Sequence, residues 1–434
     1  PPRSTLFPST TLFRSSTPPV RVALASFIGT TVEFYDFLIY GTAAALVFPQ
    51  LFFPTASPVI GLLLSFATFG VGFVARPLGG VVFGHFGDRV GRKRMLVVSL
   101  LLMGTATVLM GLLPTYAQIG LAAPVLLTLL RLAQGFAMGG EWGGATLMAV
   151  EHAPPRRKGL YGAFPQMGAP AGSAIAAGAF LLVPESQFLT WGWRIPFLAS
   201  AVLIAIGLAI RLTVTESPDF TALQRRAAVA RMPITEAFGR HWRQILLVAG
   251  AYLSQGVFAY ICVAYLVSYG TKVVGIDRAQ ALFAVLVAGT VAVITYPVFG
   301  ALSDVVGRRP VFIGGVVAMG LAIGPAFALI NTGDPNRFLL AQLLVFGFAM
   351  APAAGVTGSL FSLSFSAEVR YSGVSIGYTL SQVLGSAFAP TIATALLAAT
   401  GTSMSIVAYL VGVSVISAAS AGFLPGGPSR SHPG

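Results

Sequence analysis

A chain of 434 residues with 56% hydrophobic and only 9% charged side chains has too little polar surface to cover a water-soluble domain of its size. Its 26 Lys and Arg against 13 Asp and Glu give a net charge of +13, but basic residues on so apolar a chain do not build a nucleic-acid surface. A single cysteine, Cys262, and the lack of a Gly-X-Y period exclude a disulfide scaffold and collagen, which leaves a polytopic membrane protein.

Residues 1–19 have no apolar core of the kind a signal peptide needs, and are read as a non-native or disordered extension. Crossing a bilayer takes roughly 20 mostly apolar residues per helix. Such runs fall at 21–48, 58–83, 94–114, 118–150, 160–184 and 191–213, and resume at 242–270, 278–302, 310–331, 337–363, 372–399 and 403–424. The runs are continuous rather than alternating, so a β-barrel fits poorly. The expectation is an all-α protein of twelve transmembrane helices. It divides into a six-helix bundle over 20–213, a polar linker over 214–241, a second bundle over 242–425 and a tail over 426–434.

Of the 26 basic residues, 20 fall in the termini and one set of loops, against three (Lys272, Arg278 and Arg337) in the opposite loops. By the positive-inside rule both termini are cytoplasmic. The loop after the second run holds Gly84, Asp88, Arg89, Gly91 and Arg92, and the loop after the eighth holds Gly300, Asp304, Gly307 and Arg308. Gly, Asp, Gly and Arg recur with one offset of 216 residues, on the same membrane side. Two halves in the same orientation imply a twofold axis along the membrane normal, the arrangement in which transporter halves rock against each other. A conformational latch between the halves explains repeated spacing better than a simple topology anchor.

This repeated Gly-x3-Asp-x2-Gly-Arg loop resembles the signature loop of the major facilitator superfamily. The resemblance narrows at Glu33-Phe-Tyr-Asp36-Phe, Arg76-Pro-Leu-Gly-Gly, Gln134-Gly-Phe-Ala-Met-Gly-Gly-Glu141-Trp142-Gly-Gly and Trp193-Arg194-Ile-Pro196-Phe. Together these are similar to the metabolite:proton symporter family, whose members carry osmolytes such as proline and betaine, dicarboxylates, citrate and shikimate. The resemblance spans nearly all of 21–424 and implies the major facilitator fold.

Charges inside a bilayer are costly and mark function by default. Glu33 and Asp36 lie three residues apart on one face of the first helix, which Tyr40 continues. Two carboxylates so close do not both ionise easily, which suits a proton-coupling site; a structural pair held by an arginine is the competing reading. In the fourth helix Arg131, Gln134 and Glu141 form one stripe. Arg131 and Glu141 lie about 15 Å apart along the axis, too far to touch. The resemblance places the first and fourth helices side by side along a central cavity, where Glu33 or Asp36 would pair with Arg131. Glu33, Asp36, Arg131 and Glu141 are thus the proton-coupling candidates.

Adding 216 to these four positions reaches only Ala249, Tyr252, Gly347 and Thr357, so the second half has no matching charges. Tyr252 and Gln255 on its first helix become substrate-binding candidates, with Tyr40, Arg131 and Gln134 from the first half. Gln166 maps onto Gln382. Arg76, beside Pro77, reads as structural, and Arg194 as an interfacial anchor. The four histidines lie in loops or the tail, and no HExxH or phosphate-cradling motif occurs, so neither an enzyme nor an ATP-driven pump is expected, nor any cofactor or metal. The reading is a monomeric secondary transporter of the bacterial inner membrane. It would import a small carboxylate or zwitterion with protons. The alternatives are a uniporter, a proton-coupled exporter and a transporter-like nutrient sensor.

Overall fold

The computed structural model describes residues 19–90, 92–140, 142–213, 233–365 and 370–424, and these form helices and short connections with no strand among them. In chain order the first six long helices are α1 (Pro19–Leu46), α2 (Pro58–Val90), α3 (Arg92–Leu112), α4 (Ala122–Ala137, continuing over Trp142–Glu151), α5 (Lys158–Leu181) and α6 (Ile195–Thr213). The second six are α7 (Pro233–Tyr260, continuing to Val274), α8 (Arg278–Val306), α9 (Arg308–Ile330), α10 (Pro335–Gln342, continuing to Leu363), α11 (Arg370–Leu384, continuing over Ala389–Thr400) and α12 (Met404–Phe423). Each of the twelve apolar runs thus becomes one helical segment. Nine stretches among the described residues are long and apolar enough to cross a membrane, the apolar parts of α3 and α4 are shorter, and α5, rich in glycine and proline, is not among the nine.

Burial sorts the helices into inner and outer ones. Every residue of α1 from Val32 to Leu46 is buried, and α7 is enclosed almost without a break from Ala251 to Gly270. A helix that is apolar all round and buried all round belongs in the interior. By contrast, α9 and α12 keep a lipid-ready face of residues such as Leu321 and Val415.

Glycine sets how closely the helices approach. A side chain at Gly135 of α4 would collide with the backbone of Gly72 on α2, and one at Gly79 with the backbone of Phe136. Small residues at such crossings replace the hydrophobic driving force that lipid cannot supply. The same logic joins α5 to α8, where Gly159 lies against the Gly300 carbonyl and Gly289 against the Pro170 carbonyl.

Three irregularities depart from the sequence reading. Helix α7 starts at Pro233, inside the expected linker, and kinks at His241, whose φ of −122° and ψ of 17° are not helical. Helix α4 narrows to a 3-10 turn at Met138–Gly140, where Gly139 and Gly140 weaken the helix. Wide π turns interrupt α7 at Ile261–Tyr265 and Gly270–Val274 and α10 at Leu343–Ala349. Such turns concentrate at functional sites. At the first of them the Gln342 amide donates to the Cys262 carbonyl at 3.0 Å.

Candidate transport site

A cavity lies between the two sets of six helices. Its wall takes Gln166 and Ser173 from α5, and Tyr252, Gln255 and Tyr260 from α7. Among the described residues no charged side chain lines it. The Gln255 carbonyl oxygen accepts from Thr357 of α10, which fixes the orientation of its side-chain amide. The Tyr252 ring packs at a tilt against that of Tyr378 of α11, with centroids 4.9 Å apart.

The α1 and α4 residues occupy a separate layer. Arg131 is fully buried, and its guanidinium carbon sits 3.8 Å from the Phe37 ring centroid, 4.3 Å from Tyr40 and 4.8 Å from Phe69. Its N–H groups donate to Gln134 Oε1 and, at 3.4 to 3.5 Å, to the carbonyls of Phe69 and Phe37. Gly72 leaves the room that the guanidinium fills. The Gln134 amide donates to the Asp36 carbonyl at 2.9 Å and to Thr107 at 2.8 Å, tying α4 to α1 and α3. Tyr40 donates to Thr68 on α2 at 2.8 Å. Tyr40, Arg131 and Gln134 therefore sit in a polar knot behind an aromatic cage and do not line the cavity, whereas Tyr252 and Gln255 do.

Glu33 and Asp36 are both buried on α1, three residues apart. Asp36 faces Ser200 on α6, yet neither carboxyl oxygen nor the Ser200 hydroxyl has a partner within hydrogen-bond geometry. Beside them Tyr35 donates to the Pro196 carbonyl at 2.7 Å, which fixes α1 against α6. Among the described residues no ion pair joins Arg131 to a carboxylate. The pairing expected from the resemblance is replaced by a guanidinium caged in aromatics and a carboxyl turned toward α6. Glu141 lies outside the described residues.

The two ends of the helix bundle are tied across the sets. At the end rich in basic residues, Asp304 accepts the backbone N–H of Gly159 at 2.7 Å and of Leu160 at 3.0 Å, while Arg308 donates to it at 3.3 Å. These amides open α5, where no local side chain caps the helix. An acidic group there answers both orphan donors and the helix dipole. Gly300 packs one turn before Asp304, and Gly307, at φ +109°, makes the break between α8 and α9 that favours glycine. In the first copy of this loop Gly84, Asp88 and Arg89 fall in the last turns of α2 and Arg92 opens α3, while Gly91 lies outside the described residues. A second tie, Glu151 to Arg370 at 3.5 Å, joins α4 to α11 at the same end.

At the opposite end Arg278 opens α8 and reaches across to α5. It donates to Glu185 at 2.7 Å and to the carbonyls of Phe180 and Val183 at 3.1 Å each, and lies 3.8 Å over the Phe188 ring centroid. The sequence showed this arginine only as one of three basic residues on that side, because its partners are more than 90 positions away. Arg194 similarly donates to the Gly111 and Leu113 carbonyls, closing the end of α3.

Comparison with known proteins agrees with this architecture. Residues 22–239 match the family model described as "Sugar (and other) transporter". The chain is 43% identical to the inner membrane metabolite transport protein YhjE of Escherichia coli (strain K12), over 86% of this chain and 87% of that one. It is 42% identical to the shikimate transporter of the same organism, over 92% and 93%. It is 33% identical to the proline/betaine transporter of Salmonella typhimurium, over 90% and 80%. Among solved structures, the D-xylose–proton symporter superposes with a TM-score of 0.71 at 18% identity, covering 95% of this chain and 98% of that one, which shows the fold. The family match and these relatives make it a multi-pass transporter and not an enzyme. The chain belongs to the sugar (and other) transporter family of the major facilitator superfamily, and within it resembles the metabolite:proton symporters.

Proposed function

We propose that this protein is a secondary active transporter that imports a small polar metabolite, a carboxylate or a zwitterion, together with protons. The observation that carries the reading is Asp36, a carboxyl buried in the span of α1 with both oxygens unpartnered. An unpaired ionised group is costly there, so the protonated form is the one the site can hold without help. Binding and release of that proton change the charge of the α1–α6 contact, and this links protonation to helix movement.

Residues 20–213 and 242–425 act as the two rocking halves, with the basic loops in the cytoplasm, and the protein works as a monomer in the bacterial inner membrane. The cavity between the halves is the substrate chamber. Its ties at both ends belong to a closed state, and alternating access requires that each end release in turn. The names of the 42% and 33% identical relatives, a shikimate and a proline/betaine transporter, fit a substrate that carries a carboxylate.

Proteoliposomes test the coupling. An imposed inward proton gradient should drive accumulation, and collapsing the gradient should abolish it. Accumulation indifferent to the gradient would point to a uniporter, and gradient-driven efflux to an exporter. No flux at all would favour a sensor.

A further inference from the structure

One hydroxyl of α12 is bonded to both ends of a single turn of α7. The Ser254 N–H donates to Ser417 Oγ at 2.8 Å, and Ser417 Oγ donates to the Gly250 carbonyl at 2.8 Å. In an unbroken α-helix these two backbone groups, four residues apart, are each other's partners. Here a side chain of a different helix is shared between them, the kind of insertion that bends or loosens a helix. Ser254 and Ser417 are both fully buried, so no water competes for the contact. Gly250 permits the close approach, since any side chain there would run into Ser420 of α12.

The bridged turn is the one that carries the cavity wall. Tyr252 lies within it and Gln255 directly follows it, and both line the cavity. A second arrangement would satisfy every group equally well. With α12 drawn back, the Ser254 N–H would bond the Gly250 carbonyl directly. Ser417 would then turn to the carbonyl four residues before it, as the neighbouring Ser414 already does to Leu410 at 2.9 Å. Neither arrangement leaves one of these backbone groups without a partner, so the two differ little in free energy.

We infer that Ser417 is a positioning residue for the substrate chamber: by carrying one hydrogen-bonded turn of α7, it sets how Tyr252 and Gln255 stand in the cavity wall. The inference rests on the transport reading above for the role of the chamber. Ser417 acts from a helix that, among the described residues, contributes nothing to the cavity lining. With the bridge formed, α12 holds the turn in its present shape. With the bridge broken, the turn closes on itself and carries Tyr252 and Gln255 with it. Gln255 is bonded to Thr357 of α10 and Tyr252 packs on Tyr378 of α11, so a change in this turn reaches two further helices. In this way α12 acts on the chamber as well as facing lipid.

The test uses the full chain in lipid nanodiscs with fluorotyrosine placed at Tyr252 alone, and reads its fluorine resonance with no ligand added. Ser417→Ala, which deletes the bridge, should displace the resonance. Ser417→Thr, which keeps the hydroxyl, should return it to the wild-type position. Ser414→Ala removes a buried α12 hydroxyl whose bond stays within its own helix, and should leave the resonance in place. No displacement in Ser417→Ala, an equal displacement in Ser414→Ala, or a threonine that behaves like alanine overturns the inference. Proteoliposome uptake of labelled shikimate and proline then reads the consequence for transport. Ser417→Ala should change KM about fivefold, the worth of one hydrogen bond, and Ser414→Ala should not. Uptake of neither solute, with the resonance moving as stated, would count against the transport reading and leave Ser417 as the residue that positions Tyr252. Uptake with an unchanged KM in Ser417→Ala would overturn its role in the chamber and leave transport standing.

Discussion

Asp304 Oδ1 accepts the Gly159 amide at 2.7 Å across 145 residues of sequence, so the last turn of α8 in the second half caps the fifth helix of the first. In the transport cycle proposed above, this bond joins the two rocking halves and stabilises only the state closed at the end rich in basic residues. Losing a helix cap costs about 1 kcal/mol, roughly a fivefold change in a two-state population. Asp304→Ala should therefore open that end. Spin labels at Arg156 and Val305, both exposed, should report a larger long-distance population in the variant; an unchanged distribution would make the cap incidental.

Arg278 holds the opposite end by a different balance of forces. Glu185 is 74% exposed on its side chain, so water screens that ion pair and it contributes little. The two carbonyls and the Phe188 ring are the stronger contacts, because the arginine side chain is only 11% exposed. Glu185→Gln should be nearly silent. Arg278→Ala should shift labels at Ser186 and Gln280 toward longer distances, and Arg278→Lys should not rescue it, since an ammonium lacks the planar fork. Equal effects of Glu185→Gln and Arg278→Ala would contradict this ordering.

Backbone contacts at α2 and α4 predict a stability difference between glycines. A methyl group at Gly135 meets the Gly72 backbone, which cannot yield as a side chain can. Gly135→Ala should cost about 1–3 kcal/mol by overpacking, seen as a lowered Tm. Gly412 on α12 has open space, so Gly412→Ala should leave Tm unchanged or raise it slightly.

How much of this could be read from the residues differs by kind of signal. The spans were legible because a bilayer imposes one length and one composition, and the helix starts and ends differ from the apolar runs by a few residues at most positions. Helix α7 is the exception, since its polar first turns before His241 carry no span signal. The Asp304 loop stood out through its repeat, but its partner on α5 did not, because an amide donor leaves no mark in sequence. Arg131 was legible as a charge out of place. Its environment was not, because Phe37, Tyr40 and Phe69 look like any apolar residues until the helices pack. Ser254, Ser417 and Ser200 are ordinary residues on apolar helices, and only their unmet or shared hydrogen bonds single them out.

The central claim is that Asp36 carries the coupled proton. Asp36→Asn keeps the shape and removes the titration. In proteoliposomes under an inward proton gradient, the variant should lose accumulation of the transported metabolite while still exchanging labelled for unlabelled substrate at a rate near wild type. Accumulation at the wild-type level in Asp36→Asn would contradict the account.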